Sequence, residues 1–208
     1  MMIAILDYGV GNLYSLKSSL EAVGAKTIVT GDPTIIGDAD KIILPGVGAF
    51  ADAVGQLRDT GMDEIIHREV HAGKPLLGVC LGMQLLLDVS YEYGEHKGLG
   101  LIPGEVRPLA DFIPEDFKIP HTGWNQLHVF KEKHPLFRYL RKSDCVYFVH
   151  SYCAVSCAPC VIATTSYGAT VTAAVAKDHV MGCQFHPEKS GNVGLHILKA
   201  FCEWGEKT

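Results

Sequence analysis

From residue 3 to residue 89 the chain alternates short apolar runs with stretches of helical periodicity. The apolar runs at 3–6, 26–29, 41–45 and 75–79 predict strands, and apolar residues at spacings of three and four predict helices between them. Parallel neighbours need such crossover connections. The rhythm therefore predicts an α/β fold with a central, mostly parallel sheet, helices on both faces, and ligands at the carboxyl ends of the strands.

After residue 98 the helical periodicity disappears, and short strands separated by turns replace it. A last core strand and a closing helix, marked by Val193, Ile197, Phe201 and Trp204, return to the first pattern. We therefore expect an additional antiparallel strand region beside the main sheet. The predicted strands lie at 127–130, 146–149, 161–164, 170–175 and 180–185.

Composition limits the class of protein. A chain of 208 residues with 48% hydrophobic residues can bury one large core, so we expect a single domain over 1–208. A net charge of -5 gives no basic surface for nucleic acid. No apolar run is long enough for a membrane span, and the first residues lack a basic targeting segment, so we expect a soluble cytoplasmic protein.

Seven cysteines, an odd number, argue against a disulfide framework. Cys153, Cys157 and Cys160 have a C-x3-C-x2-C spacing that can hold an iron–sulfur cluster. Their neighbours are apolar and typical of strands, which favours a β-hairpin with incidental cysteines. We therefore predict no metal and no cofactor.

Cys80 stands between Gly78 and Gly82 where a predicted strand becomes a predicted helix over 81–89. Small neighbours allow a tight turn with strained dihedral angles, and the start of a helix offers free N–H groups to a thiolate or an oxyanion. The segment is therefore typical of a nucleophile elbow. A buried structural cysteine between packing glycines is the alternative.

His186 and Glu188 follow the last predicted core strand, in a Gln-Phe-His-Pro-Glu segment. A thiol nucleophile needs a base, and the base needs a third group that fixes its orientation. Residues i and i+2 of an extended segment lie on one side, so the carboxylate can reach the imidazole. The alternative is a turn histidine followed by a solvated glutamate.

Two further loops lie at the same predicted sheet edge. In Gly46-Val47-Gly48 the glycines allow a peptide to turn its N–H toward a substrate, so Val47 and Leu81 could supply an oxyanion hole. The loop after the first strand has a partial dinucleotide fingerprint, but Tyr14 stands where the third glycine is needed. The coincidence of Cys80, His186 and the 46–48 loop favours an acyl-transfer site.

The chain resembles the class I glutamine amidotransferases and, within them, the glutaminase subunits of imidazole glycerol phosphate synthases. The resemblance spans nearly the whole chain, and its motifs occur in the family's order. They are Asp7-Tyr-Gly-Val-Gly-Asn-Leu13, Leu44-Pro-Gly-Val-Gly-Ala-Phe50, Gly78-Val-Cys-Leu-Gly-Met-Gln84, Gly98-Leu-Gly-Leu-Ile-Pro-Gly104, Pro120-His-Thr-Gly-Trp-Asn125, Tyr147-Phe-Val-His-Ser-Tyr152 and Gln184-Phe-His-Pro-Glu-Lys189. The segment 153–160 departs from the family's usual polar stretch.

The resemblance implies a three-layer, flavodoxin-like amidotransferase fold in which Cys80 attacks the carboxamide of glutamine. His186 would be the general base, Glu188 would orient it, and a γ-glutamyl thioester would form and hydrolyse. Glutamine would be held by Gly48, Gln84, Ser151 and Tyr152. The 46–48 loop would need to rearrange to complete the oxyanion hole.

The resemblance also implies a heterodimer. Ammonia would pass to a (β/α)8-barrel synthase subunit that makes imidazole glycerol phosphate and AICAR in histidine biosynthesis. The positions that match the family's interface with that subunit are Asn12, His121, Trp124, Asn125, Tyr147 and Lys189.

Three alternatives remain open from the sequence. A related amidotransferase subunit could feed ammonia to another acceptor, such as a sugar-amidating enzyme. A cysteine hydrolase on a similar sheet would cleave peptides or γ-glutamyl chains without a partner. A flavodoxin-type binding module would have Cys80 as a packed core residue.

Overall fold

The computed structural model describes residues 1–129 and 134–205. It contains six α-helices and fourteen strands in these residues, and short 3₁₀ turns connect several of them. The helices are α1 Leu13–Ala22, α2 Pro33–Asp38, α3 Phe50–Asp59, α4 Met62–His71, α5 Leu81–Leu85 and α6 Gly191–Cys202. The strands are β1 Met2–Leu6, β2 Lys26–Thr30, β3 Lys41–Leu44, β4 Leu76–Val79, β5 Val89–Ser90, β6 His96–Lys97, β7 Glu105–Pro108, β8 His121–Gln126, β9 His128–Val129, β10 Cys145–His150, β11 Tyr152–Val155, β12 Val161–Tyr167, β13 Ala169–Lys177 and β14 Val180–Cys183.

Eight strands form the main sheet in the order β2-β1-β3-β4-β14-β13-β12-β9. The first five run parallel, as the alternating pattern predicts, and β13, β12 and β9 add antiparallel neighbours. The last strand in sequence, β14, therefore lies between β4 and β13 in the middle of the sheet. This confirms the predicted α/β class with a mostly parallel sheet.

Helices cover both faces of the sheet. Alternate residues of the parallel strands point to opposite sides, so Ile3 and Ile5 pack with α1 and α6, whereas Ala4 and Leu6 pack with α2, α3 and α4. Strands β3 and β4 are buried along their whole length, as expected for strands covered on both faces. The result is the three-layer arrangement that the resemblance implies.

Two smaller sheets stand beside the main one. Strands β10 and β8 form an antiparallel pair, and β11, β7, β5 and β6 form a four-stranded sheet. Of the strands predicted for the antiparallel region, 146–149 lies in the β10–β8 pair, whereas 161–164 and 170–175 lie in β12 and β13 and extend the main sheet. Strands β5, β6, β7 and β8 and the helix α2 were not among the predicted elements. The predicted strand at 127–130 corresponds to β9, and residue 130 lies outside the described residues.

The helix predicted over 81–89 is wrong in length, because α5 ends at Leu85. The following turn has i to i−3 hydrogen bonds, from Leu86 N to Met83 O and from Leu87 N to Gln84 O. The backbone of 99–102 then takes the carbonyls of Leu85, Leu86 and Leu87 that a longer helix would use. Tertiary contacts therefore end the helix although its leucines are periodic.

The predicted hairpin around the late cysteines is also wrong. Strand β11 pairs with β7 in the small sheet, whereas β12 pairs with β13 and β9 in the main sheet. A short 3₁₀ turn over Ala158–Cys160 carries the chain between the two sheets. No helix in residues 1–129 and 134–205 is long and apolar enough to cross a membrane.

Three glycines, which have no side chain, allow α5 to pack directly on the strands. A Cβ atom at Gly82 would overlap the carbonyl oxygen of Leu44, and one at Gly78 would come within 2.6 Å of the carbonyl oxygen of Gly82. Gly46 faces the same turn, with the Gly82 nitrogen 2.8 Å from its Cβ position. The three glycines thus bring β3, β4 and the start of α5 into backbone contact.

We expect Gly82→Ala to lower the free energy of unfolding by about 3 kcal/mol, because backbone must move to admit the methyl group. Chemical denaturation with circular dichroism measures this. Gly55→Ala is the matched control, since Gly55 lies inside α3 with open space at its Cβ position. It should stabilise the chain by up to about 1 kcal/mol through helix propensity. Equal effects of the two substitutions would contradict the packing argument.

Candidate functional site

Cys80 lies on the sharp turn between β4 and α5, as predicted. Its backbone has φ 54° and ψ −112°, a conformation that non-glycine residues rarely adopt. Its N–H donates to Cys183 O over 2.8 Å, and this bond ties the turn to the neighbouring strand β14. Only 8% of Cys80 is exposed, on the wall of a cleft of about 420 Å³.

His186 reaches the same cleft from β14. Because β4 and β14 are parallel with Val79 opposite Cys183, the residues that follow the two strands meet at one sheet edge. The side chain of His186 hydrogen-bonds that of Cys80, and its Nδ1 lies 2.8 Å from Glu188 Oε1. The structure therefore brings the three predicted catalytic side chains together in the predicted order.

The backbone around His186 is also held firmly. Its N–H donates to Tyr147 O over 2.9 Å, and its carbonyl accepts from Ser190 Oγ over 2.7 Å. Ser190 Oγ in turn accepts from Tyr147 N at 2.9 Å. The Glu188 carboxylate is almost fully buried, and its Oε2 has no hydrogen-bond partner among the described residues. The hydrogen bond of the Glu188 carboxylate is therefore the one with His186.

Two histidines of the cleft have pKa values that depart from the ordinary one in opposite directions. Burial alone would lower the pKa of His186, but hydrogen bonds and charge interactions with Cys80 and Glu188 raise it to about 9. Burial lowers the pKa of His150 to about 4. At neutral pH the cleft therefore holds a charged imidazolium at His186, beside the Cys80 sulfur, and a neutral imidazole at His150.

The predicted oxyanion and substrate residues all line the cleft with Cys80. They are Val47, Gly48, Leu81, Gln84, Ser151 and Tyr152. Gly48 has φ 91°, which favours glycine, and Val47 is 44% exposed. The loop predicted to supply one N–H of the oxyanion hole therefore lines the cleft with Cys80 and is open to solvent.

Glu92 also lines the cleft, and the sequence analysis missed it. It is 8% exposed, and its Oε2 accepts the N–H of Phe50, the first residue of α3, over 2.6 Å. Its charge also contributes, after burial, to a raised pKa of Tyr152. The polar segment 91–95 gave no sign of this, because carboxylates in such segments are usually solvated.

The residues that match the family's interface differ in how far they are exposed to solvent. Trp124 is 65% exposed and packs edge-on against Tyr147, with ring centroids 4.8 Å apart. The exposed Lys189 has its Nζ 5.8 Å from the Tyr147 ring centroid. Asn12, at the N-terminus of α1, is half-buried. His121, in contrast, is completely buried.

His121 connects the Trp124 strand to the cleft. Its Nδ1 lies 3.0 Å from His150 Nε2, and its Nε2 lies 2.9 Å from Oδ1 of the half-buried Asn125. His150 Nδ1 donates to Tyr152 O over 2.8 Å. A row of close polar contacts therefore runs from β8, beneath the exposed Trp124, to the wall of the cleft.

The late cysteines lie away from the cleft lining. Cys153, Cys157 and Cys160 are buried in apolar clusters, and burial raises the pKa of Cys153 to about 12. Across residues 1–129 and 134–205, no group of three or more His, Cys, Asp or Glu side chains is arranged to hold a metal ion. These thiols therefore contribute packing in this structure.

Comparison with known proteins gives consistent matches. Residues 4–203 match the family model of the class-I glutamine amidotransferases. The chain is 50% identical to imidazole glycerol phosphate synthase subunit HisH of Syntrophotalea carbinolica, over 96% of this chain and 98% of that protein. It is 48% identical to the protein of the same name from Sulfurimonas denitrificans, over 98% of both.

Solved structures with the same fold are more distant in sequence. The structure of PurLQS from Thermotoga maritima superposes with a TM-score of 0.77 at 19% identity, covering 98% of both chains. The glutaminase domain of CTPS from Trypanosoma brucei gives a TM-score of 0.66 at 17% identity, covering 98% of this chain and 94% of that one. These likenesses support the fold.

We expect His186 to titrate near pH 9 and His150 near pH 4 in the folded chain. NMR of the imidazole C–H signals measures both, with His186→Gln and His150→Gln for assignment. Cys80→Ala should lower the His186 midpoint more than Glu188→Gln, because the hydrogen bond and the charge interaction of Cys80 each raise the pKa of His186 more than those of Glu188.

The same shift predicts how stability depends on pH. Since the folded pKa of His186 exceeds its ordinary value of 6.5, its protonation stabilises the fold fully below pH 6.5, and this contribution is lost as the pH rises through about 9. A His186 midpoint near 6.5 in the wild-type chain would show that the cluster does not hold the extra proton.

Proposed function

The chain belongs to the class-I glutamine amidotransferase family, and from this premise we propose that it is the glutaminase subunit of an imidazole glycerol phosphate synthase, with Cys80, His186 and Glu188 as its catalytic residues. The observation that carries the proposal is the meeting of Cys80 and His186 at the ends of adjacent parallel strands, with Glu188 2.8 Å behind His186.

The first half of the reaction forms a thioester. With its proton on His186, the Cys80 sulfur attacks the side-chain carbonyl carbon of glutamine, and the C–S bond forms as the carbonyl oxygen becomes an oxyanion. The N–H groups of Val47 and Leu81 stabilise that oxyanion. His186 then donates its proton to the departing nitrogen, the C–N bond breaks, and ammonia leaves the γ-glutamyl thioester.

The second half returns the enzyme to its starting state. His186, now neutral, takes a proton from water as the water oxygen attacks the thioester. The C–S bond breaks, glutamate leaves, and the sulfur and the imidazolium face each other again. Glu188 keeps Nδ1 of His186 occupied, so Nε2 is the nitrogen that exchanges protons with the reacting atoms.

The cleft provides complementary groups for the amino-acid end of glutamine. We assign the α-ammonium to Glu92, because Glu92 brings a carboxylate to the lining of the cleft and Glu188 is committed to His186. Gln84, Ser151 and Tyr152 offer further polar groups in the same cleft, and Gly48 lines it with them. No cofactor is needed for this chemistry.

The acceptor of the ammonia is the partner subunit. We propose a (β/α)8-barrel synthase subunit that forms imidazole glycerol phosphate and AICAR in histidine biosynthesis, docked on Asn12, Trp124, Tyr147 and Lys189. The exposed Trp124, packed on the half-buried Tyr147, supports this placement, since aromatic residues are enriched at interfaces and these lie beside the site. The absence of any disulfide among the described cysteines fits a cytoplasmic heterodimer.

Cys80→Ala should abolish glutamine-dependent synthesis by the complex and leave ammonia-dependent synthesis intact, because only ammonia production needs the thiol. Glutamate release and product formation are measured with and without the barrel subunit. Cys145→Ala, at an exposed thiol, is the control and should change neither activity. Persistent glutaminase activity in pure Cys80→Ala would exclude the proposed nucleophile. Full activity without any partner would instead favour an independent hydrolase, and stimulation only by another acceptor, such as a sugar-amidating enzyme, would move the chain to that pathway.

Glu92→Gln should raise KM for glutamine by roughly 10- to 100-fold with a smaller change in kcat, because it removes the charge opposite the α-ammonium. The substituted amide oxygen still accepts the N–H of Phe50, so the start of α3 stays capped. Glutaminase kinetics of the complex measure the effect, and Glu95→Gln, at an exposed position three residues later, is the control. An unchanged KM would remove Glu92 from the substrate contacts.

A further inference from the structure

Gln184 lies directly behind the proposed nucleophile. It is the first residue after β14 and is completely buried. Its Nε2 lies 3.7 Å from Cys80 Sγ, within hydrogen-bonding range of sulfur, and its Oε1 accepts from Gln84 Nε2 over 2.9 Å. Both polar atoms of this enclosed amide are therefore directed at residues of the site.

The orientation of the Gln184 amide follows from a main-chain carbonyl. The oxygen of Tyr152 can only accept a hydrogen bond, so the Gln84 atom 3.2 Å from it is the nitrogen. The second hydrogen of that nitrogen points to Gln184, which must present its oxygen there. If Gln184 were turned over, two amide nitrogens would face each other. The Gln184 N–H is thus obliged to face the sulfur.

A fixed donor beside a sulfur distinguishes its two protonation states. A thiolate can only accept hydrogen bonds, whereas a thiol is a poor acceptor, so the Gln184 N–H favours the charged form. The thiolate is the nucleophilic form of cysteine. His186 contacts the same sulfur through its own side chain. Gln184 therefore supplies a second donor that carries no titratable proton.

We propose that Gln184 is a positioning residue that holds the Cys80 sulfur in place as a thiolate and, through Gln84, couples it to the substrate wall. Because Gln84 uses both amide hydrogens on Tyr152 and Gln184, its Oε1 is left for an N–H of the substrate. One hydrogen-bonded chain, Tyr152 O–Gln84–Gln184–Cys80, then links glutamine contact to the reacting atom. The inference rests on the proposed function, which makes Cys80 the nucleophile.

Alkylation of the full chain by iodoacetamide tests this, with modification of the Cys80 peptide followed by mass spectrometry as a function of pH. Gln184→Met keeps the length of the side chain and removes the donor. It should slow alkylation of Cys80 at pH 7 by roughly 10- to 100-fold, the range for a lost hydrogen bond to a charged group, and move the pH midpoint upward. A role in packing alone would leave the pH profile unchanged.

Two controls accompany the variant. Met181→Leu replaces a fully buried residue of the same strand without touching the polar chain, and it should keep the wild-type profile. Cys145, an exposed thiol in every sample, reports on the reagent. Gln184→Glu offers only an acceptor when ionised, so it should shift the profile in the same direction as Gln184→Met.

The outcomes separate this inference from the proposed function. A wild-type Cys80 that reacts no faster than Cys145 at pH 7 would count against Cys80 as the activated nucleophile. A reactive wild-type Cys80 with an unchanged profile in folded Gln184→Met would overturn only the role of Gln184. If neither Gln184 variant folds, the side-chain amide NMR signal of wild-type Gln184 decides. It should shift with the midpoint of Cys80 alkylation, and a constant signal would overturn the inference.

Discussion

The parallel pairing of β4 with β14 is the contact on which the rest of the site depends. Cys80 and His186 are 106 positions apart in the chain, but their strands are hydrogen-bonded neighbours with Val79 opposite Cys183. The N–H of Cys80 itself donates to Cys183 O, so the strained turn at Cys80 is anchored to the strand that precedes His186. Neither strand tolerates displacement without separating the thiol from its imidazole, and both are buried along their length.

Patterns local in the sequence were predictable, and contacts between distant segments were not. The parallel strands, the elbow at Cys80 and the positions of His186 and Glu188 at a strand end all follow from periodicity and residue type. The early end of α5 does not, because residues 99–102 impose it from outside the helix. Glu92 and Gln184 were missed for the same reason. A polar side chain is ordinarily solvated, and only the fold buries these two against the site.

Two histidines that line the same cleft, His186 and His150, lie in opposite electrostatic environments. Burial lowers the pKa of both histidines, but Cys80 and Glu188 reverse its effect on His186, whereas His121 and His186 lower the pKa of His150 further. His150 and His121 lie in contact with each other, and under the proposed function His186 transfers protons. Because His121 also contacts Asn125 on the Trp124 strand, movement of that strand would displace His150 at the wall of the cleft.

The position of β14 in the sheet has a consequence for biosynthesis. Ribosomes release β4 about a hundred residues before β14, so the nascent chain carries an apolar strand with one unpaired edge while the intervening segments are translated. The hairpin of β13 and β14 must then pair with β4 through β14, the later of its two strands. Until it does, Cys80 lacks His186, the base that the proposed function gives it, and the partly synthesised chain cannot hydrolyse glutamine.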